Sequence, residues 1–397
     1  MYTDVVVIGA GQAGLSAAYG LRRAGLEPGP GFTVLDADAA PGGAWQHRWP
    51  TLRVDDAHRI HPLPGMGFSP TDPTRPANQV VPEYFAAYER AFDLHVRRPI
   101  RVTTVRDAVP DLVVETDGGT WTTRALINAT GTWSHPFVPA YPGAREFRGR
   151  QLHAVDYPGP TEFTGRRVVV VGGGATGVQL LLQIAPHAAS TLWVTRREPE
   201  WHEGPFDAEA GRAAVARVEK RVRAGLPPQS VVGATGLMLT PEYRAGIADG
   251  VLDRHPMFTR LTADGVAWAD GTMWAADVVL WATGWRPAVG HLAPLKLRSP
   301  RGGITLDGTR AVADPRVHLV GYGPSASTIG ANRAGRAAAH EVVTRLREGP
   351  PARSAGDAPP RLRRGHVPDS VDDVRSHPRR DHHPRAGSSG LASTHPG

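Results

Sequence analysis

The sequence predicts an α/β protein built from two Rossmann-like dinucleotide-binding domains, the second inserted into the first. Each is expected to carry a parallel sheet with an added β-meander. Three observations carry this. A strand–glycine turn–helix–strand unit opens the 397-residue chain and recurs near its middle. Each copy leads, at a similar distance, to a hairpin-rich stretch that closes on Ala-Thr-Gly. A short strand, a glycine loop and a small-residue helix between Asp314 and Ala339 then read as a return to the first domain. Repetition of a whole layout is far harder to reach by chance than one motif.

The first strand is the β-branched run Asp4 to Ile8, as expected for a strand buried on both faces. "GAGQAG" follows from Gly9 to Gly14, then the helical pattern "LSAAYGLRRAG", stopped at Gly25. "FTVLDAD", Phe32 to Asp38, is the second strand. In the second unit the strand is Arg167 to Val171, the glycines run from Gly172 to Gly177, the helix ends near Pro186, and "STLWVTRRE" is the next strand. The meanders are "DGGTWTTRALINATGTW" at 117–133 and "DGTMWAADVVLWATGWRP" at 270–287, each with an Asp-Gly hairpin signal. The Pro/Gly-rich stretch 134–165 reads as the crossing between domains. Within it, "EFRGRQLHAVDY" at 146–157 shows neither strand alternation nor helical spacing. The expected limits are 1–155 for the first part of the first domain, 156–290 for the second domain, 291–348 for the return segment, and 349–397 for a disordered tail. That tail is Pro-rich and lacks periodicity.

Composition narrows the function. The chain has no cysteine, which excludes disulfides, thiolate metal sites and thiol redox catalysis. The net charge of +7 is spread without basic blocks interleaved with aromatics, so no nucleic-acid partner is expected. No apolar run approaches the ~20 residues of a membrane span. No signal peptide is read at the N-terminus, and a cytoplasmic protein is expected. His58 and His61 have a metal-like spacing but no partner cluster, so no metal site is expected.

Each glycine motif follows a strand and opens a helix, the context in which it binds a dinucleotide. The first glycine permits the tight turn, the second lets backbone approach a pyrophosphate, and the third allows close helix–strand packing. The helix N-terminus then presents free N–H groups and partial positive charge to the phosphates. Asp36 lies 22 positions after Gly14, where a carboxylate would hold ribose hydroxyls. In the second unit Arg196 lies 19 positions after Gly177 and is followed by Arg197; guanidinium groups there suit a 2′-phosphate. The expectation is FAD in the first domain and NADPH in the second. A helix starting near Ser325 would aim its N-terminus at the flavin.

The layout from residue 2 to about 347 resembles the flavin-containing monooxygenase-like group, class B flavoprotein monooxygenases with plant-type and cation-efflux-associated relatives. The matching stretches are "GAGQAG", "PGGAW" at 41–45, "NATGTWSHPFVP" at 128–139, "GGGATG" and "WATGWRP" at 281–287. Phe147, Gly149, His153 and Tyr157 reproduce that group's fingerprint, Phe-x-Gly-x-x-x-His-x-x-x-Tyr. The resemblance implies FAD contacts from Gly9, Gly11, Gln12, Ala13, Gly14, Asp36, Gly43, Ala44, Trp45, Ala129, Thr130, Gly131 and Gly321. It implies NADPH contacts from Gly172, Gly174, Ala175, Thr176, Gly177, Arg196, Arg197, Ala282, Thr283 and Gly284. No individual catalytic residue is implied beyond the fingerprint. The implied cycle is reduction of FAD by NADPH, addition of O₂ at flavin C4a, and oxygenation of a small organic substrate. A homodimer is compatible with this reading. Trp285 stands where the group has Tyr. Pro158 after Tyr157 matches the Baeyer–Villiger variant, and the Tyr itself the N- or S-oxygenating one. The alternative activity is an NADPH-dependent flavin reductase that passes electrons to another acceptor. The pyridine-nucleotide disulfide reductases share the architecture, but they need a cysteine pair.

Overall fold

The opening strand runs Tyr2–Ile8 (β1) in the computed structural model, which describes residues 1–57, 60–203, 208–229 and 236–348. His58 and the expected tail lie outside these residues. Four consecutive buried residues, Val5 to Ile8, make β1 an interior strand. Helix α1 (Gln12–Arg23) returns along the sheet to β2 (Phe32–Leu35), which pairs parallel with β1. Gly25, at φ +91°, stops α1: its N–H bonds Arg22 O and the Leu26 N–H bonds Leu21 O, the paired closure that a left-handed glycine provides. Helix α2 (Ala77–Ala91) precedes the meander β3 (Val102–Ala108), β4 (Asp111–Thr116) and β5 (Gly119–Asn128). β5 has two characters. Its first half pairs antiparallel with β4 and alternates in burial, while its last four residues are wholly buried alongside β1.

The second unit repeats this plan. It comprises β6 (Arg150–His153), β7 (Arg167–Val171), α3 (Ala175–Ile184) and β8 (Ser190–Thr195). Then come β9 (Trp201–His202), α4 (Ala208–Arg223), β10 (Leu237–Met238), α5 (Pro241–Ala248) and β11 (Arg254–Pro256). The second meander is β12 (Arg260–Thr262), β13 (Gly265–Ala267) and β14 (Met273–Ala275), leading to β15 (Val278–Trp281). Strand order β2-β1-β5 in the first sheet is matched by β8-β7-β15 in the second, all parallel. The chain then re-enters the first sheet through β16 (Leu306–Asp307), β17 (Arg310–Ala311) and β18 (Val317–Leu319), which pairs parallel with β5. Helix α6 (Thr328–Glu348) closes the first unit.

Packing explains the small-residue composition of α6. A Cβ on Gly335 would stand 2.6 Å from Ala13 O, and one on Gly20 would stand 2.7 Å from the Ala339 methyl. The two helices therefore meet nearly backbone to backbone beneath a core containing Leu15, Leu21, Ile127 and Val342. Burying each such Leu or Ile contributes about 1.5–3 kcal/mol.

Three differences from the sequence reading are physical. The stretch 146–157 holds strand β6, a four-residue edge strand that among the described residues bonds only β15, too short to show alternation. The second sheet thus takes residues from 150, ahead of the limit expected at 155. Helix α2 contains Pro82, which masked its helical pattern; its buried face is Val81, Tyr84, Phe85 and Tyr88. The α6 helix starts at Thr328, because Gly323–Ser325 forms a separate single turn. Among the described residues no helix is long and apolar enough to cross a membrane.

Candidate functional site

The two glycine turns are built alike down to single bonds. In the first, Gly9 N–H bonds Leu35 O (2.7 Å) and Ala129 N–H bonds Ile8 O (2.8 Å); in the second, Gly172 N–H bonds Val194 O (2.9 Å) and Ala282 N–H bonds Val171 O (2.8 Å). Gly9 and Gly172 have φ of +97° and +145°, and a Cβ on either would strike the carbonyl of Ala129 or Ala282. The backbone of each Ala-Thr-Gly therefore passes directly against the first glycine of its turn. A Cβ on Gly14 or Gly177 would press on the carbonyl of Gly9 or Gly172. Gly11 and Gly174 differ: a Cβ at Gly11 has one neighbour, at 3.9 Å, and one at Gly174 has none within 4 Å. Both are helix N-caps without a capping side chain, so the first N–H groups of α1 and α3 face open space.

A cavity of about 660 Å³ opens at the α1 turn. All the residues assigned to FAD line it except Gly14, which packs inside the turn. Gln12 crosses to α6: its Nε2 donates to Asn332 Oδ1 (2.8 Å) and His61 O (3.0 Å). Its Oε1 is buried without a donor. Asp36 is buried and holds Arg98 Nε at 3.1 Å, and Arg98 in turn binds Glu89 of α2 with two 2.7 Å bonds. Burial raises the Asp36 carboxyl above its usual range, and Arg98 opposes the shift. The carboxylate expected to meet a ribose is thus fixed in place by an arginine that sequence spacing did not reveal.

The residues assigned to NADPH gather at the second turn. Gly174, Ala175 and Thr176 are half-buried at the start of α3. A Cβ on Gly173 would stand 3.5 Å from the Thr195 side chain, so Arg196 and Arg197 follow directly beside the turn. Both arginines are exposed, and neither has a side-chain partner among the described residues. Arg254, by contrast, is tied to Thr195 and Glu198.

The two Ala-Thr-Gly segments are stitched together. Ala288 N–H bonds Gly131 O, Arg286 N–H bonds His135 O and Phe137 N–H bonds Gly284 O, each at 2.9 Å, and the Thr283 hydroxyl bonds Phe137 O. The fingerprint serves this joint. His153 is buried at the end of β6, and its Nδ1 accepts from the Val155 N–H (3.2 Å). The proton therefore sits on Nε2, which donates to Gly284 O at 3.1 Å. Burial holds the ring's pKa below its ordinary value, so it is a neutral donor at neutral pH. Tyr157 is core: it bonds Gln183 Oε1 (3.3 Å), and burial raises its hydroxyl pKa. Phe147 is buried, and a Cβ on Gly149 would collide with its ring. None of the four lines the cavity.

Two further residues complete the cavity. His291 donates from Nε2 to Asn128 Oδ1 (2.7 Å), Asn128 donates to the Thr130 hydroxyl (3.0 Å), and Thr130 donates to Ala288 O (2.7 Å). Arg48 projects among Trp45, Trp49, Trp133 and Trp285, with its guanidinium 4.6 Å from the Trp133 ring centre.

A family model described as pyridine nucleotide-disulphide oxidoreductase matches residues 6–209. The chain belongs to this family. A two-residue variant of the flavin monooxygenase from Stenotrophomonas maltophilia is 39% identical, superposes with a TM-score of 0.74, and matches over 86% of this chain and 98% of its own. Among curated relatives, the uncharacterized oxidoreductase CzcO of Bacillus velezensis is 25% identical over 50% of this chain and 59% of its own length. A Baeyer-Villiger monooxygenase of Streptomyces coelicolor is 30% identical over 57% of this chain and 43% of its own. The chain spans about half the length of these curated relatives. Within the family it groups with flavin monooxygenases, and with no cysteine it cannot run the family's disulfide chemistry.

Proposed function

We propose that the protein is an FAD- and NADPH-dependent monooxygenase that transfers one oxygen of O₂ to a small organic substrate. The observation that carries the reading is the pair of matching turns, each with an open helix N-terminus and a middle glycine that leaves room for a phosphate. The cavity suits FAD by its volume, by the glycine cradle at Gly11 and Gly43, and by the orphaned Gln12 Oε1 waiting for a donor. The α1 N-terminus would hold the FAD pyrophosphate, Asp36 a ribose, and Gly43 to Trp45, Ala129 to Gly131 and Gly321 the surrounding walls. The α3 N-terminus would hold the NADPH pyrophosphate, with Arg196 and Arg197 at its 2′-phosphate. On this assignment the FAD module is 1–149 with 291–348, and the NADPH module starts at β6.

When bound, the two cofactors supply a hydride donor and a flavin that reacts with O₂. The chain's own side chains position and enclose. The ladder from His291 to Ala288 fixes the cavity wall, and Trp45, Trp133 and Trp285 shield it from water. His153 holds the joint between modules without exchanging a proton, and the fingerprint contributes architecture. The 39% identity to a flavin monooxygenase over 98% of that chain supports oxygenation over simple electron transfer.

The test is an absorbance spectrum of the purified protein, NADPH and O₂ consumption, and labelled-O₂ incorporation across a panel of amines, sulfides and ketones. A flavin spectrum with substrate-dependent incorporation is expected. NADPH oxidation with electrons passing to an added acceptor and no incorporation would instead identify a flavin reductase. Failure to take up FAD would overturn both.

A further inference from the structure

Arg48 has a guanidinium without a counter-ion among the described residues. It lines the cavity, and its side chain makes no hydrogen bond or ion pair among the described residues. Its Nε is shut away from solvent with no acceptor. The two carboxylates on the cavity wall are committed elsewhere: Asp36 to Arg98, and Asp38 to Gln46 (3.0 Å) and His47 (3.0 Å). Burial lowers the guanidinium pKa to about 10, which leaves it charged at neutral pH. Four indole rings lie within 5.8 Å of its Cζ and compensate part of that charge. They supply no hydrogen-bond acceptor.

Arg48 does not stand alone in this. The indole N–H groups of Trp49 and Trp285 are also buried without an acceptor. Both rings are among the four around Arg48. Of these two rings Trp285 also lines the cavity, so the Arg48 guanidinium and the Trp285 indole N–H are two unmatched donor groups on the same cavity wall, while Trp49 packs into the core behind them. The walls are flat and apolar: Trp133 and Trp285 stack with centroids 5.3 Å apart at 22°, and His47 stacks with Trp133 at 6.4 Å. A positive, donor-only point beside stacked indoles fits a planar anion acceptor attached to an apolar body.

We propose that Arg48, with the indole N–H group of Trp285, recognises the carboxylate of an anionic organic substrate whose flat apolar part lies along Trp133 and Trp285. The proposal rests on the monooxygenase reading for the word substrate; the binding itself is measurable without turnover. The experiment titrates oxidised, FAD-loaded protein with 3-phenylpropanoate and with 3-phenylpropanamide, following flavin absorbance and tryptophan fluorescence. Wild type, Arg48→Gln and Arg48→Lys are compared, with NADP⁺ affinity measured in parallel. Wild type should bind the carboxylate about tenfold or more tighter than the amide, the size of one charge-assisted hydrogen bond. Arg48→Gln should bring that ratio near one, and Arg48→Lys, a point charge without the fork, should keep part of it. NADP⁺ affinity and flavin content are read in parallel, so that the probe ratio of each variant is compared at equal cofactor loading. Equal binding of the two probes by wild type, or an unchanged ratio in Arg48→Gln, overturns the proposal. So does a loss confined to NADP⁺ or FAD, which would make Arg48 a cofactor contact. If Arg48→Gln does not fold, the wild-type ratio and Arg48→Lys still decide. If labelled O₂ is not incorporated, the monooxygenase reading fails while the probe ratio is judged separately.

Discussion

Arg196 and Arg197 are two exposed cations beside an open helix N-terminus, and nothing among the described residues neutralises them. Arg254, bonded to the adjacent Thr195 and to Glu198, is by contrast already committed. A 2′-phosphate would give them a dianion, and one charge-assisted bond is worth about 1.5–3 kcal/mol. Arg196→Ala should therefore lower the preference for NADPH over NADH by about tenfold or more, read as the ratio of kcat/KM values. NADH parameters should stay within about twofold of wild type. An unchanged ratio would remove Arg196 from the 2′-phosphate site. The position of this pair beside the turn was legible because a residue at a fixed distance after a glycine turn has a fixed place. Arg48, Arg98 and His291 were not, because their partners are set by packing between segments far apart in sequence: Arg98 reaches back 62 positions to Asp36, and Arg48 meets Trp285 across the module joint. A local signal did exist for Arg48. "WQHRW" at 45–49 places an arginine between two tryptophans in five residues, which spacing rules for nucleotide sites ignore.

The strand–turn–helix element assigns different work to its glycines, and that separates stability from binding. Gly11 and Gly174 have extended φ of −80° and −99°, open to any residue, and both have space for a methyl. Gly11→Ala and Gly174→Ala should keep cofactor-free stability within about 0.5 kcal/mol. Affinity should fall about tenfold or more, for FAD in the first and NADP⁺ in the second, because the methyl occupies the path of backbone to pyrophosphate. Gly14→Ala and Gly177→Ala should behave oppositely. Their Cβ atoms would press on the first glycine's carbonyl, at 2.6 Å for Gly177, and overpacking of this kind costs about 1–3 kcal/mol. Thermal melts of the cofactor-free protein, set against cofactor titrations, distinguish the two classes. Equal destabilisation by all four substitutions would show that the turns are structural only. The glycine elements were readable because each role is local. Strand β6 was not, since its ladder partner among the described residues is β15, about 130 residues away, and its exposed residues Arg150 and Gln151 give no alternation. The fingerprint around it packs at the joint: His153 reaches Gly284, and Tyr157 fills the second core.

At the scale of the whole molecule, three imidazoles are kept neutral by burial, and folding is therefore coupled to pH. His318 lies at 1% exposure beneath α6, bonded to the Thr309 hydroxyl (2.9 Å), and burial brings its pKa down to about 4, with Arg345 and Arg310 adding to the shift. His291 is lowered to about 4, first by burial and then by His135, and His153 is lowered in the same direction. Each has a folded pKa below its unfolded value of about 6.5. On acidification the unfolded chain takes up these protons first, so stability is full above pH 6.5 and falls as pH drops towards the folded values near 4. The slope is about 1.4 kcal/mol per pH unit for each histidine. His318 should carry the largest share, because His291 faces the cavity and is partly screened. Asp314, held below its usual range by Arg316, keeps its contribution through this window and loses it only under more acid conditions. Asp36 works the other way, its raised pKa offsetting part of the loss. Urea unfolding at half-unit steps from pH 7.5 to 4.5 should show a steepening decline below pH 6.5, and His318→Gln should flatten it by about one histidine's worth. The slope is the readout, since the substitution also shifts the absolute level. A pH-independent unfolding free energy across this range would mean that these rings take up protons in the folded protein as readily as in the unfolded chain, and the burial argument for their neutrality would fall with that result.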